Sequence, residues 1–262
     1  MNILFVGDVV GRVGRRALKT CLPRYLDQGR ADFVVVNAEN AAGGIGLTPK
    51  IVEEILGLGV DAITTGNHVW AHKEMYEVAD AEPRLVRPAN YPPGVPGVGS
   101  RVLRSRAGVE VGVINVCGRI FMDPLDCPFR AADAELERLA GQVAVTIIDF
   151  HGEATSEKQA FARYVAGRVS LVAGTHTHVQ TADECILPGG TAYITDCGMT
   201  GPTQSIIGME PEPVVGRFLN RLPIRFQAAR GPGVFGGVIV DVDESSGRAR
   251  AIARVAEDVP AA

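Results

Sequence analysis

The feature that most limits what this chain can become is its alternation of short apolar runs with amphipathic stretches. Ile3–Val6 leads through a glycine-containing turn into helical periodicity over Arg15–Leu26. Phe33–Val36 runs into Asn37-Ala38-Glu39-Asn40, a Gly-Gly loop and a second helical pattern. Thr48 is placed to cap that helix, with Pro49 at its first position, where the N–H that proline lacks would be unpaired anyway. Ala62–Thr65 repeats the pattern and ends at Gly66-Asn67-His68. Short buried strands followed by helices predict βα units and a largely parallel sheet.

The middle of the chain changes character. Arg101–Arg106 and Val109–Val116, split by Ala107-Gly108, predict an antiparallel hairpin. Residues 118–130, with Pro124 and Pro128, predict a loop. Helices are expected at Ala131–Ala140 and Ser156–Arg168, and strands at Val143–Phe150, Leu171–Ala173, Thr191–Thr195, Val234–Val242 and Ala249–Val255. No repeat, charge block or Gly/Ser linker divides the sequence, so residues 1–262 are expected to form one domain with mixed sheets. Glycine, at 31 of 262 residues, exceeds the usual ~7% and agrees with many tight turns and close backbone approaches.

Charge narrows the function classes. The net charge is −4, whereas a protein held mainly by broad phosphate-backbone contacts is usually basic, so extended nucleic-acid binding is disfavoured. A small phosphorylated substrate stays open, because metal ions add positive charge that a residue count omits. No apolar run reaches the ~18 residues of a spanning helix, so no membrane role is expected. The opening MNILFVGDVVGR lacks a basic leader and is interrupted by Asp8, as a strand and not a signal peptide would be. The five cysteines never form Cys-x-x-Cys, which predicts free thiols in a reducing compartment, the cytoplasm. A homo-oligomer is compatible with this composition.

Five predicted strands end in residues able to bind metal: Asp8, Glu39-Asn40, Asn67-His68, His151, and His176 with His178. In open α/β sheets, ligand sites form beyond the carboxyl ends of strands, where these side chains converge. A lone histidine is usually structural, but four of the chain's five fall in this set. The mixture of imidazole, carboxylate and amide, without thiolate, suits Fe, Mn or Zn and disfavours a structural zinc finger.

Gly66-Asn67-His68 and Gly174-Thr175-His176-Thr177-His178 resemble the Gly-Asn-His and Gly-His-x-His signatures of calcineurin-like metallophosphoesterases. Gly7-Asp8 and Phe150-His151-Gly152 complete the order across positions 7 to 178. Two departures stand out: Asp8-Val9-Val10 lacks the usual histidine of Asp-x-His, and Glu39-Asn40 replaces the usual bridging aspartate. With Gly66-Asn67-His68-Val69-Trp70 and the Asp196–Pro202 loop, these departures are similar to the YmdB-type branch of that superfamily, di-metal phosphodiesterases, often iron-dependent, acting on cyclic nucleotides.

The resemblance implies an α/β metallophosphoesterase-like four-layer sandwich, two mixed β-sheets flanked by helices. It implies Glu39 as the bridge between two ions, with Asp8, Asn40 and His178 completing the ligands of the first ion and Asn67, His151 and His176 those of the second. Such ions stand ~3.5–4 Å apart and hold a bridging hydroxide near neutral pH. His68, adjoining Asn67, would then act as general acid toward the leaving oxygen. Two divalent or trivalent transition-metal ions are implied, iron first and manganese or zinc as alternatives. The implied partner is a small phosphodiester or cyclic nucleotide, 2′,3′-cyclic nucleotides leading. The rivals are a metal-dependent regulatory or phospho-ligand-binding protein without turnover, and a phosphomonoesterase on the same site.

Other patterns carry less. Asp183 lies five residues after His178 rather than two, unlike a metallo-β-lactamase-type site. His68-Val69-Trp70-Ala71-His72 has zincin spacing but Val69 where the glutamate base belongs. His72 is therefore read as a helix-face, structural or hydrogen-bonding residue, and Trp70 as core packing with base stacking as the alternative. Asp149 and Glu153 flank His151 and are read either as carboxylates that orient an imidazole or as solvated loop residues. Arg15, Arg16 and Arg24 are read as the solvated side of a helix.

Overall fold

The structure, a computed structural model, describes residues 1–261. The chain opens with β1 (Asn2–Val6), a two-residue β2 (Asp8–Val9), α1 (Gly11–Asp27), β3 (Phe33–Asn37), α2 (Pro49–Leu56), β4 (Ala62–Thr64), α3 (Met75–Ala81) and β5 (Leu85–Val86). A second run follows: β6 (Ser100–Arg104), β7 (Glu110–Cys117), α4 (Pro128–Leu139), β8 (Val145–His151), α5 (Thr155–Val165), β9 (Leu171–Thr175), β10 (Cys185–Leu187) and β11 (Thr191–Ile194). Then β12 (Met199–Pro202), α6 (Pro211–Asn220), β13 (Gly233–Val242) and β14 (Ala249–Val259) return to the first sheet.

Both sheets are mixed. The first runs β2-β12-β13-β1-β3-β4-β5, with β14 paired on β13. Its β1, β3, β4 and β5 are parallel, as βα units require, while β13 joins β1 antiparallel. The second runs β10-β11-β9-β8-β7-β6, parallel from β11 to β7 and closed by the expected antiparallel β6–β7 hairpin. Alternate side chains of the two sheets meet face to face, Ile3, Phe5, Phe33 and Val35 against Val111, Val113, Ile147 and Leu171. The opposite face of the first sheet packs on α1 and α2 through Leu18, Leu22, Val34, Val36, Val52 and Ile55. The opposite face of the second packs on α4 and α5 through Ile114, Ile148, Phe150, Ala132 and Phe161. Helix, sheet, sheet, helix is the four-layer order, and the parallel strands of both sheets are covered on each face, as buried parallel strands must be.

Three local differences from the sequence reading have physical causes. Helix α1 starts at Gly11, not Arg15, because glycines in its first turn let it lie against β12; a Cβ on Gly14 would stand 2.2 Å from the Thr200 carbonyl oxygen. Arg15 and Arg16 reach backbone carbonyls, of Ala41 at 2.5 Å and Gly231 at 2.6 Å, and so turn partly inward, while Arg24 is exposed as expected and pairs there with Glu257. His72 sits in a turn before α3, with Nε2 3.1 Å from the Ile45 carbonyl oxygen. Among the described residues no helix is long and apolar enough to cross a membrane, and the five cysteines are unbridged.

Candidate functional site

The donors singled out in the sequence lie at the carboxyl ends of β1, β3, β4, β8 and β9 or in the first residues beyond them. Because β1, β3 and β4 are parallel, as are β7, β8 and β9, their ends open on the same edge, and the stacked sheets bring the two groups together. Two subclusters result. Asn40 and His178 approach at 3.1 Å (Nδ2 to Nε2), with Asp8 Oδ1 3.7 Å from the same imidazole nitrogen. Asn67 Oδ1 and His176 Nδ1 lie 3.0 and 3.1 Å from His151 Nε2. Glu39 Oε1 lies 3.8 Å from His151 Nε2 and 3.2 Å from His68 Nδ1, which in turn is 3.0 Å from Asn40 Oδ1. Among the described residues no three His, Cys, Asp or Glu side chains form a metal cage by themselves; the convergence depends on the two asparagines.

Burial sets the electrostatics. Asp8, Glu39 and His151 are at most 1% exposed. Asp8 Oδ1 and Glu39 Oε2 are buried without any hydrogen-bond partner, while Asp8 Oδ2 accepts the His176 N–H at 3.1 Å. Loss of hydration pushes the Asp8 carboxyl up to about 6 and the Glu39 carboxyl well above its ordinary range. The same burial pushes His151 well down and His176 down to about 4, leaving both imidazoles neutral and able to offer lone pairs. Two ligands held at ~2.0–2.1 Å on one ion stand roughly 3–3.4 Å apart, the spacing at which Asn67 Oδ1 and His176 Nδ1 stand from His151 Nε2. Orphaned buried carboxylate oxygens beside neutral imidazoles are the donor set a cation fits.

His151 is held by a relay that sequence reading reached only in part. Its Nδ1 lies 2.9 Å from Thr175 Oγ1, which donates to Asp149 Oδ1 at 2.7 Å. The ring's Nδ1–H is therefore directed at Thr175, and its Nε2 lone pair faces Asn67 and His176. Asp149 also accepts from Thr64 Oγ1 at 2.5 Å and Asn37 Nδ2 at 2.8 Å, and Asn37 Oδ1 accepts the Glu39 N–H at 3.0 Å. One buried carboxylate thus steers donors from both sheets; burial pushes it up to about 7. Glu153 Oε2, by contrast, is a surface group 3.3 Å from His176 Nε2. Gly66 is required by this packing, since a Cβ there would meet the His151 ring at 2.3 Å.

The His176-Thr177-His178 turn is strained, with φ of 99° and 66° at its two histidines. Such left-handed residues cost on the order of 1–3 kcal/mol each and persist only when their surroundings fix them. Asp196 does so, accepting the Thr177 N–H at 3.0 Å and its hydroxyl at 2.7 Å. Asp196 is itself neutralised by Lys158 at 2.7 Å, both fully buried. Removing one partner of a buried pair leaves a bare charge and costs roughly 3–5 kcal/mol. Lys158→Met is therefore expected to lose about that much stability in urea unfolding; a loss under ~1 kcal/mol would mean the pair does not hold the turn.

His68 and Asn40 differ from a simple ligand picture. His68 Nδ1 is 3.0 Å from Asn40 Oδ1, and its backbone N–H donates to Glu39 Oε1. Asn40 therefore turns its oxygen to His68 and its amide nitrogen to His178, so oxygen ligation on the His178 side needs a half-turn of the amide. Burial, and then the nearby His178, lower the His68 pKa. Trp70 packs edge-on against Tyr76 and Tyr91, the packing arrangement and not an open stacking platform.

Two mixed sheets between helical layers, with polar donors gathered at parallel strand ends, define a metallophosphoesterase-like fold. A family model described as YmdB-like protein matches residues 4–255, and the chain belongs to that family. A Bacillus subtilis protein named 2′,3′-cyclic-nucleotide 2′-phosphodiesterase is 49% identical over 97% of this chain and 96% of its own. The crystal structure of a hypothetical protein from Thermus thermophilus superposes with a TM-score of 0.93 at 45% identity, over 99% of this chain and 100% of that one. A Mycoplasma pneumoniae structure described as a novel phosphatase superposes with a TM-score of 0.92 at 34% identity, over 100% and 94% of the two chains.

Proposed function

We propose that this chain, a phosphoric ester hydrolase by the family to which it belongs, hydrolyses cyclic nucleotides at a dinuclear metal site. The observation that carries the reading is the pair of buried, unpartnered carboxylate oxygens, Asp8 Oδ1 and Glu39 Oε2, among neutral imidazoles. Asp8, Glu39, Asn40 and His178 would hold one ion, and Glu39, Asn67, His151 and His176 the other. A bound pair supplies Lewis acidity and a nucleophile near neutral pH. Iron is the first metal expected, with manganese or zinc as alternatives for this thiolate-free set.

The chain's own residues do the rest. Asp149, through Thr175 and Asn37, orients His151 and the Glu39 backbone, so the donors are placed before substrate arrives. With Asn40 turned to ligate, Glu39 Oε1, 3.2 Å from Nδ1, is what holds the His68 ring, which leaves Nε2 to protonate the departing oxygen. An incoming anionic phosphate raises the pKa that burial has lowered, so the proton is taken up as substrate binds. The same reading treats residues 1–262 as one catalytic domain working in the cytoplasm on a small phosphodiester.

The name of the Bacillus relative makes 2′,3′-cyclic nucleotides the leading substrates. A five-membered cyclic phosphate opens easily, so the informative measurement is kcat/KM across 2′,3′-cyclic, 3′,5′-cyclic and monoester nucleotides with added Mn²⁺. The expected order places the 2′,3′-cyclic compounds first. The description of the Mycoplasma structure favours a second reading, a phosphomonoesterase on the same residues, and a monoester preference would establish it instead.

A further inference from the structure

The sequence carries more acidic than basic residues, yet among the described residues one cleft is entirely basic in its charged groups. A cavity of about 940 Å³ is lined by Arg12, Arg16, Arg225 and Arg230, with Gly43 and Gly231 among its backbone walls and no acidic side chain. Some arginines elsewhere pair with carboxylates, as Arg15 does with Glu54, Arg106 with Asp61 and Arg254 with Glu184, and others, such as Arg104 and Arg163, stand singly on the surface; what sets the cleft apart is that four gather in one place. None of these four has an ion pair among the described residues. Arg16 donates through Nη2 to the Gly231 carbonyl oxygen at 2.6 Å, and its Nε is buried without a partner.

The first turn of α1 opens on the same cleft through Arg12 and Val13. Val10 provides no side-chain cap and the turn has no acidic residue to offset the positive end of the helix. Four guanidinium groups gathered with no counter-charge among the described residues repel one another, and a multivalent oxyanion relieves that repulsion. Phosphate is the anion whose oxygens match the planar donors of arginine. The cleft is also continuous with the candidate site along the chain. Arg12 follows Asp8 by one short turn, Gly43 follows Asn40, and the N–H groups of Gly11 and Gly44 both donate to the Asn40 carbonyl oxygen, at 2.9 and 3.1 Å.

We propose that this cleft binds a phosphate group, separately from the metal-ligand candidates. Two sources share that chemistry: a second phosphate of the substrate itself, in a short oligonucleotide ending in the scissile cyclic ester, or a free phosphorylated effector. Arg12 and Arg230 are exposed and can be replaced without opening the core.

The test titrates inorganic pyrophosphate into Glu39→Ala protein, in which the metal site is disabled, by calorimetry. Salt-sensitive binding is expected there, weakened at least tenfold when Arg12→Gln and Arg230→Gln are added. Arg104→Gln with Arg163→Gln, which removes the same charge from exposed positions elsewhere, should leave the affinity in place. Absence of binding, equal affinity in the first pair, or equal loss in the control overturns the proposal. A kinetic arm on otherwise wild-type enzyme separates the sources. If the substrate supplies the phosphate, a dinucleotide with a cyclic end has a higher kcat/KM than the cyclic mononucleotide, and R12Q/R230Q removes the difference. If an effector supplies it, the two substrates are alike while pyrophosphate binding is still lost. The kinetic arm rests on the phosphodiesterase reading and the titration does not, so the two can fail separately.

Discussion

Glu39→Ala is expected to abolish turnover and to remove most of the bound metal. Glu39 Oε1 lies 3.8 Å from His151 Nε2 and 3.2 Å from His68 Nδ1, the ring that meets Asn40, and its Oε2 is buried with no protein partner. In the proposed bridging role Glu39 would serve both metal positions, so its loss would not be confined to one. The charge stabilisation a metal supplies is several kcal/mol, and each 1.36 kcal/mol is tenfold in rate, so kcat should fall by about 10³ or more. Elemental analysis of the purified variant checks the cause. Unchanged occupancy with lost activity would remove Glu39 from the bridging role, and circular dichroism separates metal loss from unfolding.

His68→Ala should lose roughly 10²–10⁴ in kcat while keeping the metal content of the parent protein. The two adjacent residues point differently: Asn67 Oδ1 meets His151, whereas the His68 ring meets Asn40 and Glu39. A good leaving group such as p-nitrophenolate needs little protonation, so bis-p-nitrophenyl phosphate should suffer less than a nucleotide. Equal slowing of both, or loss of metal, would make His68 a ligand or a charge stabiliser and not a general acid.

What the sequence made legible was the part governed by local pattern. Apolar strands ending in Asp8, Glu39-Asn40, Asn67-His68 and His151 could be read because strand and donor are neighbours in the chain. The β6–β7 hairpin was readable for the same reason, from Ala107-Gly108 between two β-rich runs. What stayed hidden was non-local. Asp149 gains its meaning from Thr64, Asn37 and Thr175, up to 112 residues away. Lys158 looks like an ordinary charge in the first turns of a helix, and only the fold brings Asp196 to it across 38 residues.

Other elements were too short to leave a period. β2 has two residues and pairs with β12, whose sequence Met-Thr-Gly-Pro gives no strand alternation. Helix α6, Pro211–Asn220, exposes Phe218 and Leu219, so its apolar residues do not report a buried face. Arg16 carries the same lesson from the other side. An arginine on a helix reads as solvated, and only the approach of Gly231 reveals a guanidinium held inward.

The central claim is that this donor set works as a dinuclear centre. Its most direct test is metal content per chain, by elemental analysis of protein purified without chelator, followed through stepwise metal removal and return alongside phosphodiesterase activity. The account predicts about two transition-metal ions per chain and activity that returns only with the second equivalent. Full activity with one ion, or activity that survives complete removal of metal, would contradict it.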